Sequence, residues 1–105
     1  MTKNNFVSSI KVGDLQVGHM RGVRVKGKPV LLARVDSEVY AVSNTCPHAG
    51  CEFQGGILTG YMVMCSCHGW KFDIRNGQSQ ANPLTKLESY PCKIENGKIQ
   101  IEINR

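Results

Sequence analysis

Two short runs decide how this chain is read: Cys46-Pro47-His48-Ala49-Gly50-Cys51 and Cys65-Ser66-Cys67-His68-Gly69-Trp70. Of the five cysteines four lie here, with two of the three histidines. The thirteen residues between the runs hold neither type. Such concentration is the mark of a metal site. The first run offers Cys-x-His and the second Cys-x-x-His, with sixteen residues between His48 and Cys65. Two thiolates and two imidazoles suit a tetrahedral zinc ion. They also suit a [2Fe–2S] cluster in which histidines replace two cysteines on one iron.

The residues around these ligands favour the iron–sulfur alternative. Cys-x-His-x-Gly-Cys followed by Cys-x-Cys-His-Gly resembles the Rieske family. The resemblance extends to Lys71-Phe72-Asp73, to the Asn76-Gly77 turn and to Asn82-Pro83-Leu84, where the family carries a proline loop over its cluster. It runs from about residue 5 to residue 104. It implies one [2Fe–2S] cluster per chain, with Cys46 and Cys65 on one iron and His48 and His68 on the other. It also implies a single domain over 1–105, with a cluster-binding subdomain at about 44–74.

Away from the two runs the chain is all β in character. Its 105 residues suffice for one modest core. Short β-rich runs alternate with Gly, Asp and Asn at intervals of about eight to twelve residues. Strands are predicted at 6–10, 20–25, 30–35, 39–42, 57–59, 61–64 and 71–74, with a turn over Lys26-Gly27-Lys28-Pro29. Val30–Val35 is nearly all apolar, which predicts burial. A last hairpin of 87–94 and 98–103 is predicted around Asn96-Gly97, a strong two-residue turn signal. With the resemblance, this reads as an antiparallel β-sandwich of small stacked sheets bearing a cluster-binding subdomain of two loops.

The formal net charge is +5, spread from Lys3 to Arg105. It reads as a solvated basic surface or as a surface for an acidic partner. Aromatic content of 7% without a basic stripe argues against nucleic acid. Met1 to Asn5 is polar with no apolar segment after it, so no signal peptide is predicted. No apolar run reaches membrane-spanning length. The expectation is a cytoplasmic protein.

The resemblance carries further expectations. Histidine ligation leaves the oxidised cluster neutral, which raises the potential toward the Rieske range of about −150 to +300 mV. High-potential members donate hydroxyl hydrogen bonds from the positions of Trp70 and Phe72. Neither side chain supplies one, which implies the lower or middle part of that range. Cys51 and Cys67 stand where high-potential members form a disulfide, so a Cys51–Cys67 bridge is expected. Cys92 reads as a small buried hydrophobe, Met62 and Met64 as packing, and His19 as a surface residue.

The function implied is one-electron transfer, from a reductase to an oxygenase or other terminal oxidoreductase. No nucleophile–base pair or mononuclear iron triad is recognisable, so the chain is not read as an enzyme. The alternatives are a small subunit of a larger oxidoreductase, such as a nitrite reductase, and a zinc-binding interaction module.

Overall fold

The computed structural model describes residues 6–45, 53, 56–65, 70–80 and 85–103. Among the described residues ten strands run in chain order: β1 (Phe6–Lys11), β2 (Met20–Val25), β3 (Lys28–Val35), β4 (Glu38–Ser43), β5 (Ile57–Thr59), β6 (Met62–Met64), β7 (Lys71–Asp73), β8 (Ser89–Tyr90), β9 (Cys92–Glu95) and β10 (Lys98–Glu102). A 3-10 turn, Val12–Asp14, follows β1. The strands form three antiparallel sheets, ordered β1-β10-β9, β2-β3-β4-β8 and β5-β6-β7.

The four-stranded sheet is the middle layer. Val30, Leu32, Val39 and Ala41 point from one face into a core completed by Ile99, Ile101 and Ile103. Leu31, Ala33 and Val42 point from the other face toward Phe53, Val63 and Phe72. β3 is therefore buried on both sides, and Val30, Leu31, Leu32 and Ala33 are all fully buried. That explains the unbroken apolar run, since a strand exposed on one face would alternate. Alternation does appear in β10, where Ile99 and Ile101 are buried and Gln100 and Glu102 are not.

Local turn chemistry sets two hairpins. Lys26 and Gly27 (φ 52° and 78°) close β2 onto β3, and Asn96 and Gly97 (φ 55° and 77°) close β9 onto β10. Two successive positive φ values match the twist of the flanking strands. The first turn is shorter than the four residues expected. Lys28 and Pro29 already belong to β3, where Pro29 sits opposite Arg24. Pro29 lacks an N–H, but at this strand end only its carbonyl is needed, and it accepts from the Asn44 N–H at 3.0 Å.

The expected 87–94 strand is divided. Ser89–Tyr90 pairs with β4 in the middle sheet, whereas Cys92–Glu95 pairs with β10 in another. Pro91 lies at the break and cannot donate to a ladder; its carbonyl instead accepts from Glu102 N–H at 2.8 Å. Tyr61, expected in a strand, lies in the turn between β5 and β6.

Candidate metal centre

Of the four expected ligands, Cys65 is within the described residues. Cys46, His48 and His68 lie outside them, as do Cys51, Cys67 and Pro83. The described residues show how the segments bearing these ligands are held at their ends.

Each of three segments begins and ends on a hydrogen-bonded pair. Before the first, Asn44 is buried, and its Oδ1 accepts from the Phe53 N–H at 2.8 Å. Around the second, the Cys65 N–H donates to the Trp70 carbonyl at 2.8 Å. Around the third, which contains Pro83, the Ser79 N–H donates to the Thr85 carbonyl at 3.1 Å. The three pairs are also tied to one another. Phe53 and Phe72 meet edge to face with centroids 5.5 Å apart, and Trp70 lies 6.4 Å from Phe72. Ser79 bridges Phe72, and the Gln80 N–H donates to the Lys71 carbonyl at 2.9 Å.

Gly56 adds a contact that no other residue could make. A Cβ there would overlap the Met64 carbonyl oxygen. The backbone leaving the first segment thus lies directly on the residue before Cys65. From sequence, Gly56 reads as readily as an ordinary turn residue. Asn44 was legible only as a polar residue near a ligand, because its partner Phe53 is nine positions away.

The Cys65 side chain, at 0% exposure, sits at the end of β6 among Val63, Phe53 and Phe72. A soft thiolate ligand in dry, aromatic surroundings fits an iron–sulfur group, whose potential depends on burial and on the donors around its sulfurs. Phe72 is itself fully buried and contributes only hydrocarbon to that surround.

At the opposite end of the β5-β6-β7 sheet, Arg75 lies over the Tyr61 ring, 4.2 Å from its centroid. It also donates from Nε and Nη2 to the two Asp73 carboxylate oxygens at 3.0 and 2.8 Å. These hydrogen bonds hold the Asp73 carboxyl below its ordinary range, against a smaller opposing effect of burial. Tyr61 in turn meets Tyr40 of β4 edge to face at 5.9 Å. This stack fastens the small sheet to the middle one. Burial chiefly, then the neighbouring Tyr61 and Glu38, raises the Tyr40 hydroxyl.

The other expectations are refined. Met62 and Met64 face outward with Ile57 around a shallow depression of about 270 Å³, rather than filling the core. His19 is exposed, as expected. Cys92 is half-buried and its thiol donates to the Val39 carbonyl at 2.9 Å. Burial, then Glu38, pushes this thiol up to about 11, so it is a poor thiolate ligand.

A sequence profile of the Rieske [2Fe-2S] domain matches residues 5–91. The chain belongs to the Rieske family. A ferredoxin component of naphthalene 1,2-dioxygenase/salicylate 5-hydroxylase systems from a Ralstonia species is 34% identical over 100 residues, covering 94% of this chain and 96% of the relative. The ferredoxin of carbazole 1,9a-dioxygenase from Nocardioides aromaticivorans superposes with a TM-score of 0.90 at 25% identity, over 96% of this chain and all of that one. A ferredoxin solved in complex with the oxygenase of a carbazole 1,9a-dioxygenase gives 0.85 at 26% identity, over 95% and 94% of the two chains. A putative NADH-dependent nitrite reductase small subunit from Mycobacterium tuberculosis gives 0.87 at 25% identity, over 95% and 96%. As a Rieske domain the chain takes one [2Fe–2S] cluster. Among the described residues, no helix is long and apolar enough to cross a membrane.

Proposed function

We propose that this chain is the ferredoxin of an oxygenase system, a one-electron carrier between a reductase and a terminal oxygenase. The observation that carries this reading is coverage. The ferredoxin component from Ralstonia aligns over nearly all of both chains, so the likeness extends along that component rather than to one motif. In this reading residues 1–105 form one domain that acts in the cytoplasm.

Cys46 and Cys65 would hold one iron as thiolates, and His48 and His68 the other through ring nitrogens. The bound cluster supplies a reversible one-electron couple of zero or −1 net charge. The chain's own residues set what surrounds it. Asn44 and Phe53 close the segment carrying Cys46 and His48, and Cys65 and Trp70 close the one carrying His68. Phe53 and Phe72 keep water from the Cys65 side.

The test is anaerobic mixing of the reduced protein, freed of excess dithionite, with the oxidised oxygenase component of a naphthalene 1,2-dioxygenase. Loss of one electron per chain to the oxygenase is expected. Retention of all the reducing equivalents would contradict an oxygenase as acceptor. A second reading, the small subunit of a nitrite reductase, draws on the fold shared with the mycobacterial protein. Stable co-purification with a large subunit would favour it over a free carrier.

A further inference from the structure

The β2–β3 hairpin carries Arg21, Arg24, Lys26 and Lys28, and no acidic residue interrupts positions 21–28. Arg21, Arg24 and Lys26 are exposed, and Lys28 is half-buried. Arg24 Nη1 donates to the Gly27 carbonyl at 2.8 Å, which braces the turn. Among the described residues none of these four cations has an ion-pair partner. Arg75 pairs with Asp73 at 2.8 Å and Lys93 with Glu95 at 3.6 Å, whereas Lys11, Lys71, Lys86 and Lys98 have no ion-pair partner among the described residues either; what sets the hairpin apart is four cations within eight residues with no acidic residue among them.

The position of this hairpin gives the charge its meaning. Lys28 precedes Pro29, whose carbonyl accepts from Asn44, and Asn44 holds Phe53. The hairpin tip therefore stands at the end of the middle sheet from which the Cys46–His48 segment departs. Asp36 and Glu38 lie at the other end of β3 and β4. We infer that this hairpin tip is the electrostatic docking element for the electron acceptor, and that the oxygenase presents an acidic face to it. The inference rests on the carrier reading above. Clustered surface cations raise the encounter rate with an anionic partner, and salt screens the effect within a Debye length of about 10 Å at 0.1 M.

Two inorganic oxidants separate this from a uniform effect of net charge. Ferricyanide, an anion, takes one electron from the reduced protein to become ferrocyanide, with no proton moved. Tris(phenanthroline)cobalt(III), a cation, takes one electron to become the cobalt(II) complex. With ferricyanide the rate should fall as salt rises, and with cobalt it should rise. The pair Lys26→Glu/Lys28→Glu should slow ferricyanide by about tenfold and speed cobalt. The pair Lys11→Glu/Lys98→Glu makes the same change in net charge. Lys11 and Lys98 face each other in the β1–β10 ladder, beside the Gly97–Val12 hydrogen bond, and the Val12 carbonyl accepts from Arg34 Nη1 at 3.1 Å, toward the opposite end of β3 from Pro29. That pair should leave both rates nearly unchanged. Equal effects from the two pairs, or none from the hairpin pair, would overturn the inference.

Redox-inert hexacyanochromate(III) provides a readout without electron transfer. Its paramagnetic broadening should fall on the amides of residues 24–28, and broadening centred elsewhere would contradict the assignment. A protein that passes no electron to either oxidant would sink the carrier reading instead, with the broadening still deciding where anions dock. With the naphthalene 1,2-dioxygenase component as acceptor, the hairpin pair should slow transfer at low salt more than the Lys11/Lys98 pair. Equal slowing would remove the oxygenase as occupant.

Discussion

The middle sheet and the β5-β6-β7 sheet are stabilised in different ways. β3 and β4 run for eight and six residues and bury side chains on both faces. β5, β6 and β7 have three residues each. Strands that short bury little by themselves, and a small sheet without a second support is marginal. The small sheet buries Val63 and Phe72 against Leu31, Ala33 and Val42 of the middle one, and single contacts then fix its position: Gly56 on Met64, Asn44 to Phe53, Phe53 against Phe72, and the Tyr40–Tyr61–Arg75 stack. Hydrophobic burial builds the base and seats the small sheet on it, and specific contacts set where the site stands.

This contrast predicts a graded set of outcomes. Leu32→Ala in β3 removes a fully buried side chain and should cost about 2–5 kcal/mol across the whole molecule. Denaturant unfolding should show it, and a loss confined to the cluster spectrum would contradict the division. Gly56→Ala should act the other way round. Overpacking against the Met64 carbonyl costs about 1–3 kcal/mol locally. Iron and sulfide content should fall while far-UV circular dichroism keeps the β signature of the base.

Asn44→Ala should be a somewhat milder version of the same failure. It leaves the buried Phe53 N–H without its acceptor, a loss of about 1–3 kcal/mol. Cluster release on mild heating should come earlier than in the wild type. If Asn44→Ala lowered global stability as much as Leu32→Ala, the site and base would not be separable.

The smallest effect concerns pH. The Arg75 hydrogen bonds hold Asp73 below its ordinary value, so the folded state favours the carboxylate. The stability this adds is fully present above the unfolded carboxylate value near pH 4 and is lost as pH falls through the lower folded value. Asp73→Asn should flatten this acid-side slope slightly, since Arg75 is exposed to solvent. An unchanged slope would show that the stack stabilises through ring contact alone.

The same contrast marks what could be read from the sequence. β3 was legible because burial on both faces leaves an unbroken apolar run. The Asn96–Gly97 hairpin was legible because its turn chemistry is local. The division at Pro91 was not, because Ser89–Tyr90 and Cys92–Glu95 both have β character and differ only in partners distant in sequence. Pairing of β1 with β10, which sets Phe6 opposite Glu102, is equally invisible locally. At the site, the spacing of Cys and His was sufficient to suggest the metal chemistry. The roles of Asn44 and Gly56 depend on a neighbour's backbone, and no periodicity encodes that.

The central claim is that two thiolates and two imidazoles, from Cys46, Cys65, His48 and His68, hold the cluster. Low-temperature EPR of the dithionite-reduced protein tests it most directly. A Rieske-type spectrum, with average g below that of an all-cysteine [2Fe–2S] centre, is the predicted result. An all-cysteine signal would mean that two further cysteines have replaced both histidines, and EPR silence with zinc in place of iron would contradict the claim outright.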